Sequence, residues 1–426
     1  MIALFPTFFA LLTIGVPIAF SLGLIGVAYI LLSGQADLTV VPTIIFGGMD
    51  SFPLLAIPFF ILVGEFAVRG DLMPRIVDFA RSLIGPFKGG LAHVTVGSSM
   101  LFSGVTGVGI ADCAAVGSTM IPSMIREGYP RGFAAAVTAA SSVMGAIIPP
   151  SVGMLIIAHI AGGNLSVSRL FLAGITPGIL IGLGMMGLIA ILARRRGFPG
   201  GDQGWRLAEI GSSLKRASLA IVLPVFIIGG ILSGWFTPTE AGAIASCYAL
   251  ILGAFIYRTL TPHEIFESLL AAGKLSAIVF LLFGTAKLVS WILVLDMVPQ
   301  KLGIALQGVI GSADMFMTVV VILFFLLGFV MEGVAAMIML VPIIFPMSKV
   351  FAVDGHHLAL VIVMAVQIAL ITPPMAIALF IVTPMANCTI KEVSVEVIPF
   401  IGVVLAVVFL VVYFPQTAMW LPNLLM

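Results

Sequence analysis

Gly145-Ala-Ile-Ile-Pro-Pro-Ser-Val-Gly-Met-Leu155 and Ala369-Leu-Ile-Thr-Pro-Pro-Met-Ala-Ile-Ala-Leu379 lie 224 positions apart, each a Pro-Pro pair set in an apolar run. Proline has no N–H and its ring clashes with the carbonyl four residues back, so a regular helix cannot run through either pair. Pro149 and Pro150 remove the helical partners of the Gly145 and Ala146 carbonyls. Pro373 and Pro374 do the same to Ala369 and Leu370. The flanking runs, 130–162 and 357–387, are apolar and longer than the roughly 20 residues that cross a ~30 Å hydrocarbon core. Bare backbone polar groups are not tolerated in lipid, so each break must be buried in protein or line a wet cavity.

The rest of the chain agrees with a membrane reading. Of 426 residues, 61% are hydrophobic and 9% charged, against about 45–50% and a quarter in soluble domains. So few charges cannot cover a soluble globule of this size. Apolar stretches long enough to span recur, without the strand-length alternation of a membrane β-barrel. The fold class is an all-α polytopic membrane protein; soluble enzymes, nucleic-acid binders and disulfide scaffolds are excluded. Cys113, Cys247 and Cys388 are widely separated and read as small apolar fillers. The N-terminal Met1–Gly15 has no basic region before its apolar run and reads as a retained first helix.

Spans are expected at 2–32 and 52–68, followed by an amphipathic interfacial segment at 69–88. Residues 89–125 are broken near Ser103–Gly109, and 130–162 at the first Pro-Pro. A plain span at 167–193 precedes the longest polar segment, 194–216. The second half offers spans at 217–234 and 238–257, an interfacial segment at 262–273 and a span at 274–298. Then come 313–350, broken around Gly328–Gly333, 357–387, broken at Thr372-Pro373-Pro374, and a last span at 393–413. The halves match in register: Asp112 falls on Glu332 and Pro122 on Pro342 at an offset of 220, with Asn164 on Asn387 and Pro177 on Pro399 downstream. An internal repeat follows.

Charge sets the expected topology. If 89–125 and 313–350 are re-entrant hairpins, then 15 of the 19 Lys and Arg fall on one side. By the positive-inside rule that side is cytoplasmic. The N-terminus is then cytoplasmic and the C-terminus periplasmic. The two hairpins enter from opposite faces, so the repeats are inverted, an arrangement common in secondary transporters.

Free carbonyls at a half-helix C-terminus suit a dehydrated cation, and hydroxyls at Ser103 and Thr106 with the backbone at Gly328 add hard oxygens. The half-helices that start after the breaks, near Ser151 and Met375, point N–H groups at the same place and suit a carboxylate. Asp112 and Glu332 open the second arm of each hairpin; either they cap that helix or they couple ions. Glu65 and Lys287 sit in spans at comparable depth and are expected to pair or snorkel. Gly104–Gly109 has no preceding strand and is no nucleotide loop, His263-Glu264 lacks the second histidine of a zinc-protease motif, and no Walker sequence is present. His356 and His357 read as solvated residues of an outer loop.

Ile110-Ala-Asp-Cys-Ala-Ala-Val-Gly117, Tyr129-Pro-Arg-Gly-Phe-Ala-Ala-Ala136, Ile148-Pro-Pro-Ser151, Phe236-Thr-Pro-Thr-Glu-Ala-Gly242 and Leu370-Ile-Thr-Pro-Pro374 together resemble the large membrane subunit (DctM-type) of tripartite ATP-independent periplasmic (TRAP) transporters. The resemblance covers nearly the whole chain. It implies an elevator-type fold in the bacterial inner membrane, related to divalent-anion sodium symporters. It also implies Na⁺-coupled uptake of an organic acid, such as a sialic acid, a sugar acid or a C4-dicarboxylate. A soluble periplasmic binding protein would deliver the acid and a small DctQ-type membrane subunit would complete the complex. Two or more sodium ions are implied and no transition metal. One ion is expected at Ser103, Gly145, Ile148 and Pro150, the other at Gly328, Ala369, Thr372 and Met375. Thr106, Asp112, Ser151, Glu332, Pro373 and Pro374 would lie in the substrate and ion vicinity. Met375 stands where the first repeat has Ser151, so its backbone carbonyl would have to serve. The implied division is a scaffold at 1–88 and 217–312 and a transport core at 89–193 and 313–414. Between and after them lie a cytoplasmic loop at 194–216 and a periplasmic tail at 415–426. The rival readings are a stand-alone sodium/dicarboxylate symporter of the related class, a channel, and an intramembrane enzyme for which no catalytic motif exists.

Overall fold

The structure, a computed structural model, describes residues 4–34, 36–162, 165–200, 204–308, 310–329, 331–373 and 376–426. Every regular element among them is helical. Among the described residues, six helices are long and apolar enough to cross a membrane. Large apolar side chains such as Leu32, Val225, Phe255 and Ile398 are exposed on the outside of the bundle, as a lipid-facing surface requires.

Helices Ile18–Ser33, Val40–Met49, Ala56–Arg69, Pro238–Ile251 and Pro262–Leu295 pack mainly on one another. A second group comprises Gly90–Thr106, Gly109–Arg126, Arg131–Ser142, Val152–Ile160, Val167–Arg196, Gly333–Ile344, Gly355–Ala369, Ile377–Ala386 and Ile390–Tyr413. The two repeats interdigitate within this group: Ile377–Ala386, from the second, packs on both Gly109–Arg126 and Arg131–Ser142 from the first. The groups meet where Gly90–Thr106 touches Ala56–Arg69 and where Gly333–Ile344 touches Pro262–Leu295. An aromatic cluster of Tyr129, Phe133, Phe198 and Phe400 and an ion pair in which Arg196 Nη1 donates to both Glu396 carboxylate oxygens at 2.8 Å tie the core together on the side assigned to the cytoplasm.

Both expected hairpins and both broken helices form. The first hairpin is Gly90–Thr106 and Gly109–Arg126, the second Ala313–Leu327 and Gly333–Ile344. The first broken helix is Arg131–Ser142 and Val152–Ile160, joined through a 3₁₀ turn at Val143–Ala146; the second is Gly355–Ala369 and Ile377–Ala386. The amphipathic segment after the second span is the helix Leu72–Ile84, with Leu72, Met73, Ile76, Val77 and Ala80 buried along one face.

Several boundaries differ from the sequence reading. The expected first span at 2–32 is two helices, Leu4–Thr13 and Ile18–Ser33, because Gly15 turns left-handed at φ +87° and Pro17 cannot continue a ladder. The loop at 194–216 is shorter than expected, since a helix starts at Leu207 and runs to Leu232. Leu207, Ile210, Leu214 and Ala217 recur there at helical spacing, which outweighs the local charge. The interfacial segment at 262–273 and the span at 274–298 form one helix of 34 residues, Pro262–Leu295, opened by a Thr261–Glu264 capping box. Lys274 does not break it, because a lysine stem lies along a helix while its charge reaches water. The tail at 415–426 is mostly helical, Gln416–Leu425, and docks on Val167–Arg196. Arg169 donates to Asn423 Oδ1 at 2.5 Å and Trp420 to Thr176 Oγ1 at 3.1 Å. Val40–Met49 and Val298–Gln307 are short helices without a sequence forecast.

Candidate functional site

The first hairpin turns at Gly107, whose φ of +64° is open to glycine at little cost. The Gly107 carbonyl accepts the Val152 N–H at 3.1 Å, so the hairpin tip caps the half-helix that starts after Pro149-Pro150. The approach is backbone to backbone: a Cβ on Gly107 would lie 2.5 Å from the Pro150 carbonyl oxygen, and one on Gly145 would lie 3.0 Å from Gly109 Cα and 3.2 Å from Asp112 Cβ. The second repeat does the same with different glycines. A Cβ on Gly328 would run into Ala369, 3.0 Å from its Cα, and one on Gly333 would run into Val366. Each hairpin tip is therefore seated in the break of its own repeat.

All four elements meet at one cavity of about 100 Å³. Its wall is drawn from 107–110, 152–156, 328–337 and 366–377, so both tips and both breaks contribute. The proline argument holds only in part at atomic detail. The Ala146 carbonyl accepts from the Ser151 hydroxyl at 2.5 Å, the Ala369 carbonyl from Thr372 N at 3.3 Å, and the Leu370 carbonyl from Ala378 N at 3.1 Å. The breaks thus recover partners for three of the four carbonyls deprived by proline.

Among the expected ion residues, Ser103 is buried and donates to the Ser99 carbonyl at 2.5 Å. Thr372 is likewise spent on the Ile368 carbonyl at 2.7 Å. Both hydroxyl oxygens keep lone pairs that an ion can use. Ile148 packs against Gly178 rather than into the cavity. Ser151 caps Val152–Ile160, accepting from Met154 N at 3.2 Å. Thr106 is buried with a hydroxyl that has no hydrogen-bond partner. Gly328 and Ala369 are in contact and line the cavity. Pro373 lies in the turn of the second break; Pro374 and Met375 lie outside the described residues.

Asp112 and Glu332, equivalent by sequence register, do different work. Glu332 is the residue just before Gly333–Ile344 and its carboxylate accepts from Val334 N at 3.0 Å and Ala335 N at 3.1 Å. Asp112 lies at the end of the first turn of Gly109–Arg126, four residues past Val108, and accepts from none of that turn's N–H groups. It is fully buried, no backbone N–H reaches its carboxylate, and the one polar side chain facing it is the Ser99 hydroxyl. Ser99 and Ser141, nearby on the flanking helices, pair with each other at 2.9 Å. Helix capping accounts for Glu332 and not for Asp112.

Other expectations about charged residues change. Glu65 pairs with Arg69 at 3.4 Å rather than with Lys287. His357 is not solvated: it is buried in the first turn of Gly355–Ala369, with Nε2 2.8 Å from the Val411 carbonyl oxygen. His356 meets the Ser166 N–H at 3.1 Å through Nε2. The asparagine pair of the repeat cannot be compared, since Asn164 lies outside the described residues. The serine pairs Ser98-Ser99 and Ser141-Ser142, buried in otherwise apolar helices, belong to this region and were not singled out from sequence; their signal is polarity at membrane depth.

The site offers hydroxyl and carbonyl oxygens and one bare carboxylate, which are ligands for a hard cation. Among the described residues no cluster of three or more His, Cys, Asp or Glu could hold a metal ion.

The family model for the DctM component of tripartite ATP-independent periplasmic transporters matches residues 5–417. The chain belongs to this family. It is 34% identical to the sialic acid TRAP transporter large permease protein SiaM of Vibrio cholerae, over 97% of this chain and 96% of that one. It is 36% identical to the C4-dicarboxylate large permease protein DctM of Pseudomonas aeruginosa, over 95% and 94%. It is 35% identical to the isethionate permease protein DctMQ of Oleidesulfovibrio alaskensis over 98% of this chain, but spans only 65% of the length of that relative. Among solved structures it resembles the YdaH transporter of Alcanivorax borkumensis, with a TM-score of 0.63 at 13% identity over 88% of each chain. MtrF of Neisseria gonorrhoeae gives 0.63 at 12% identity, over 88% and 83%. These two likenesses concern the fold of the DctM chain alone.

Proposed function

We propose that this DctM-family chain is the translocating subunit of a sodium-driven importer for a small organic anion. The observation that carries the reading is the meeting of both hairpin tips and both helix breaks at one cavity. Half-helix ends there present carbonyls to cations and N–H groups to an anion, so one moving body can hold both. Ser103 and Gly145 with the backbone at Ile148 and Pro150 would hold one sodium; Gly328, Ala369 and Thr372 with the backbone at Met375 would hold another. Relatives named for sialic acid, C4-dicarboxylate and isethionate support an anionic cargo. The mobile unit would be 89–193 with 313–414, sliding as an elevator against 1–88 and 217–312. A periplasmic binding protein would deliver the acid and a small DctQ-type subunit would buttress the scaffold. The membrane is the bacterial inner membrane, with the N-terminus cytoplasmic and the C-terminus periplasmic.

The test is uptake into proteoliposomes holding this chain with its small subunit, plus the binding protein loaded with labelled acid. Uptake that needs an inward sodium gradient and the binding protein supports the reading. Robust uptake by this chain alone from free substrate would favour the stand-alone symporter, and flux without saturation or sodium dependence would favour a channel.

A further inference from the structure

A second cavity, of about 380 Å³, lies between the two helix groups. Ser51, Lys287 and Ser290 line it from one group, Leu155, His159 and Ile338 from the other. Ser51 Oγ and His159 Nδ1 bridge the groups at 3.3 Å. Val152–Ile160 and Gly333–Ile344 wall both this cavity and the central one. Ile156 and Met337 face the centre, while their neighbours Leu155 and Ile338 face this cavity. Among the described residues, one short helix from each repeat lies between the two spaces. Gly162, Leu165 and Val167 also line the cavity, at the end of the first broken helix that the charge distribution makes external.

Lys287 is the one formally charged side chain on the described wall. Its helix is gripped by Val40–Met49 so closely that a Cβ on Gly48 would lie 2.7 Å from Lys287 Cβ. Among the described residues no carboxylate stands within ion-pair distance of it, and Glu65 is engaged by Arg69. A lysine within an apolar span is costly and marks a pathway unless it is paired. The cavity volume falls in the range of small-molecule sites, roughly 300–1,000 Å³, whereas the central cavity falls below it. We propose that this cavity is an entry subsite for the transported acid, in which the Lys287 ammonium receives its carboxylate or sulfonate before the acid reaches the central cavity. The assignment rests on the reading above that the cargo is an organic anion.

The test first measures charge selection without any natural substrate. In the purified complex in nanodiscs, with Cys113, Cys247 and Cys388 replaced by serine, Ser290→Cys is reacted with two thiol reagents. One is the anionic methanethiosulfonate ethylsulfonate, the other the cationic ethyltrimethylammonium analogue. With Lys287 present the ratio of anionic to cationic rates should be at least about fivefold higher than with Lys287→Met, and Lys287→Arg should restore it. A ratio that ignores residue 287 overturns the proposal, including the alternative in which the lysine serves only a lipid headgroup. Uptake then gives the second arm: Lys287→Met should raise the KM for the acid about tenfold, with Lys287→Arg close to the parent. If the parent imports no organic anion, the functional reading fails; if it does and Lys287→Met has the parent's KM, only the entry subsite fails.

Discussion

Val152 donates its N–H to the carbonyl of Gly107 at 3.1 Å, so the tip of the first hairpin is the cap of a half-helix 45 residues further on. Two segments that are separate in sequence and each broken become one body at the centre of the molecule. The second repeat reaches the same end by side-chain loss instead, with Gly328 pressed on Ala369. On the proposed elevator reading the core has to move without its two breaks opening to lipid, and these contacts would hold each break closed.

Gly107→Ala follows directly. The left-handed backbone costs a non-glycine residue about 1 kcal/mol or more, and the new methyl would meet the Pro150 carbonyl at 2.5 Å. The thermal midpoint of the detergent-purified complex should fall by several degrees and uptake should be lost. Gly187→Ala, in Val167–Arg196 with nothing within 4 Å of its Cβ position, should keep or slightly raise the midpoint. Equal midpoints for the two variants would show that the tip is not clasped as described.

Asp112 and Glu332 should separate on two readouts. Glu332→Ala removes a cap that accepts two backbone N–H groups and should cost about 1 kcal/mol of stability. Asp112→Asn removes a fully buried carboxylate that no backbone N–H or cation compensates, so the folded protein should be as stable or more so. Its sodium activation of uptake should nonetheless shift, because that carboxylate borders the first junction through Gly145. A strong loss of stability in Asp112→Asn, with sodium activation unchanged, would make Asp112 purely structural.

How far the sequence could be read depends on what each feature is made of. Pro-Pro in an apolar run is a covalent fact with one mechanical result, so the breaks at 149–150 and 373–374 were legible, as were the hairpins next to them. Which donor repairs each carbonyl was not legible: Ser151, Thr372 and Ala378 do so through geometry that only tertiary packing sets. Register alone equated Asp112 with Glu332, but Glu332 is a cap, whereas Asp112 lies four positions past the Val108 cap of its own helix. His357 reads as solvated from its place in an expected outer loop; its partner, Val411, is 54 residues away. The Lys287 cavity is assembled from six helices distant in sequence, and its hint in the sequence was a charge in a span.

Topology is tested by accessibility. Fifteen of the 19 basic residues share one side under the hairpin reading, so the connection before Leu207 should be cytoplasmic and the C-terminus external. Pro422 is buried against the bundle, so the reporter belongs on Leu424, which is 71% exposed. In intact cells Leu424→Cys should react with an impermeant thiol reagent and Gly204→Cys should not. The reverse pattern would overturn the inverted arrangement of the repeats.

Sodium coupling is tested at the two junctions. Ser103→Ala and Thr372→Ala each remove one candidate oxygen ligand while sparing the backbone carbonyls. Each should raise the sodium concentration for half-maximal uptake by about tenfold, the equivalent of ~1.4 kcal/mol, with little change in the KM for the acid at saturating sodium. Two sodium ions entering with a monovalent acid carry one net positive charge inward, which gains about 2.3 kcal/mol per 100 mV, or roughly 50-fold accumulation. Uptake of a monovalent acid should therefore rise with an inside-negative potential imposed on the proteoliposomes. A divalent acid moving with two sodium ions should show no such rise, and would need a third ion to do so. Parental sodium dependence in both variants would remove these junctions as the ion sites and leave the fold reading intact.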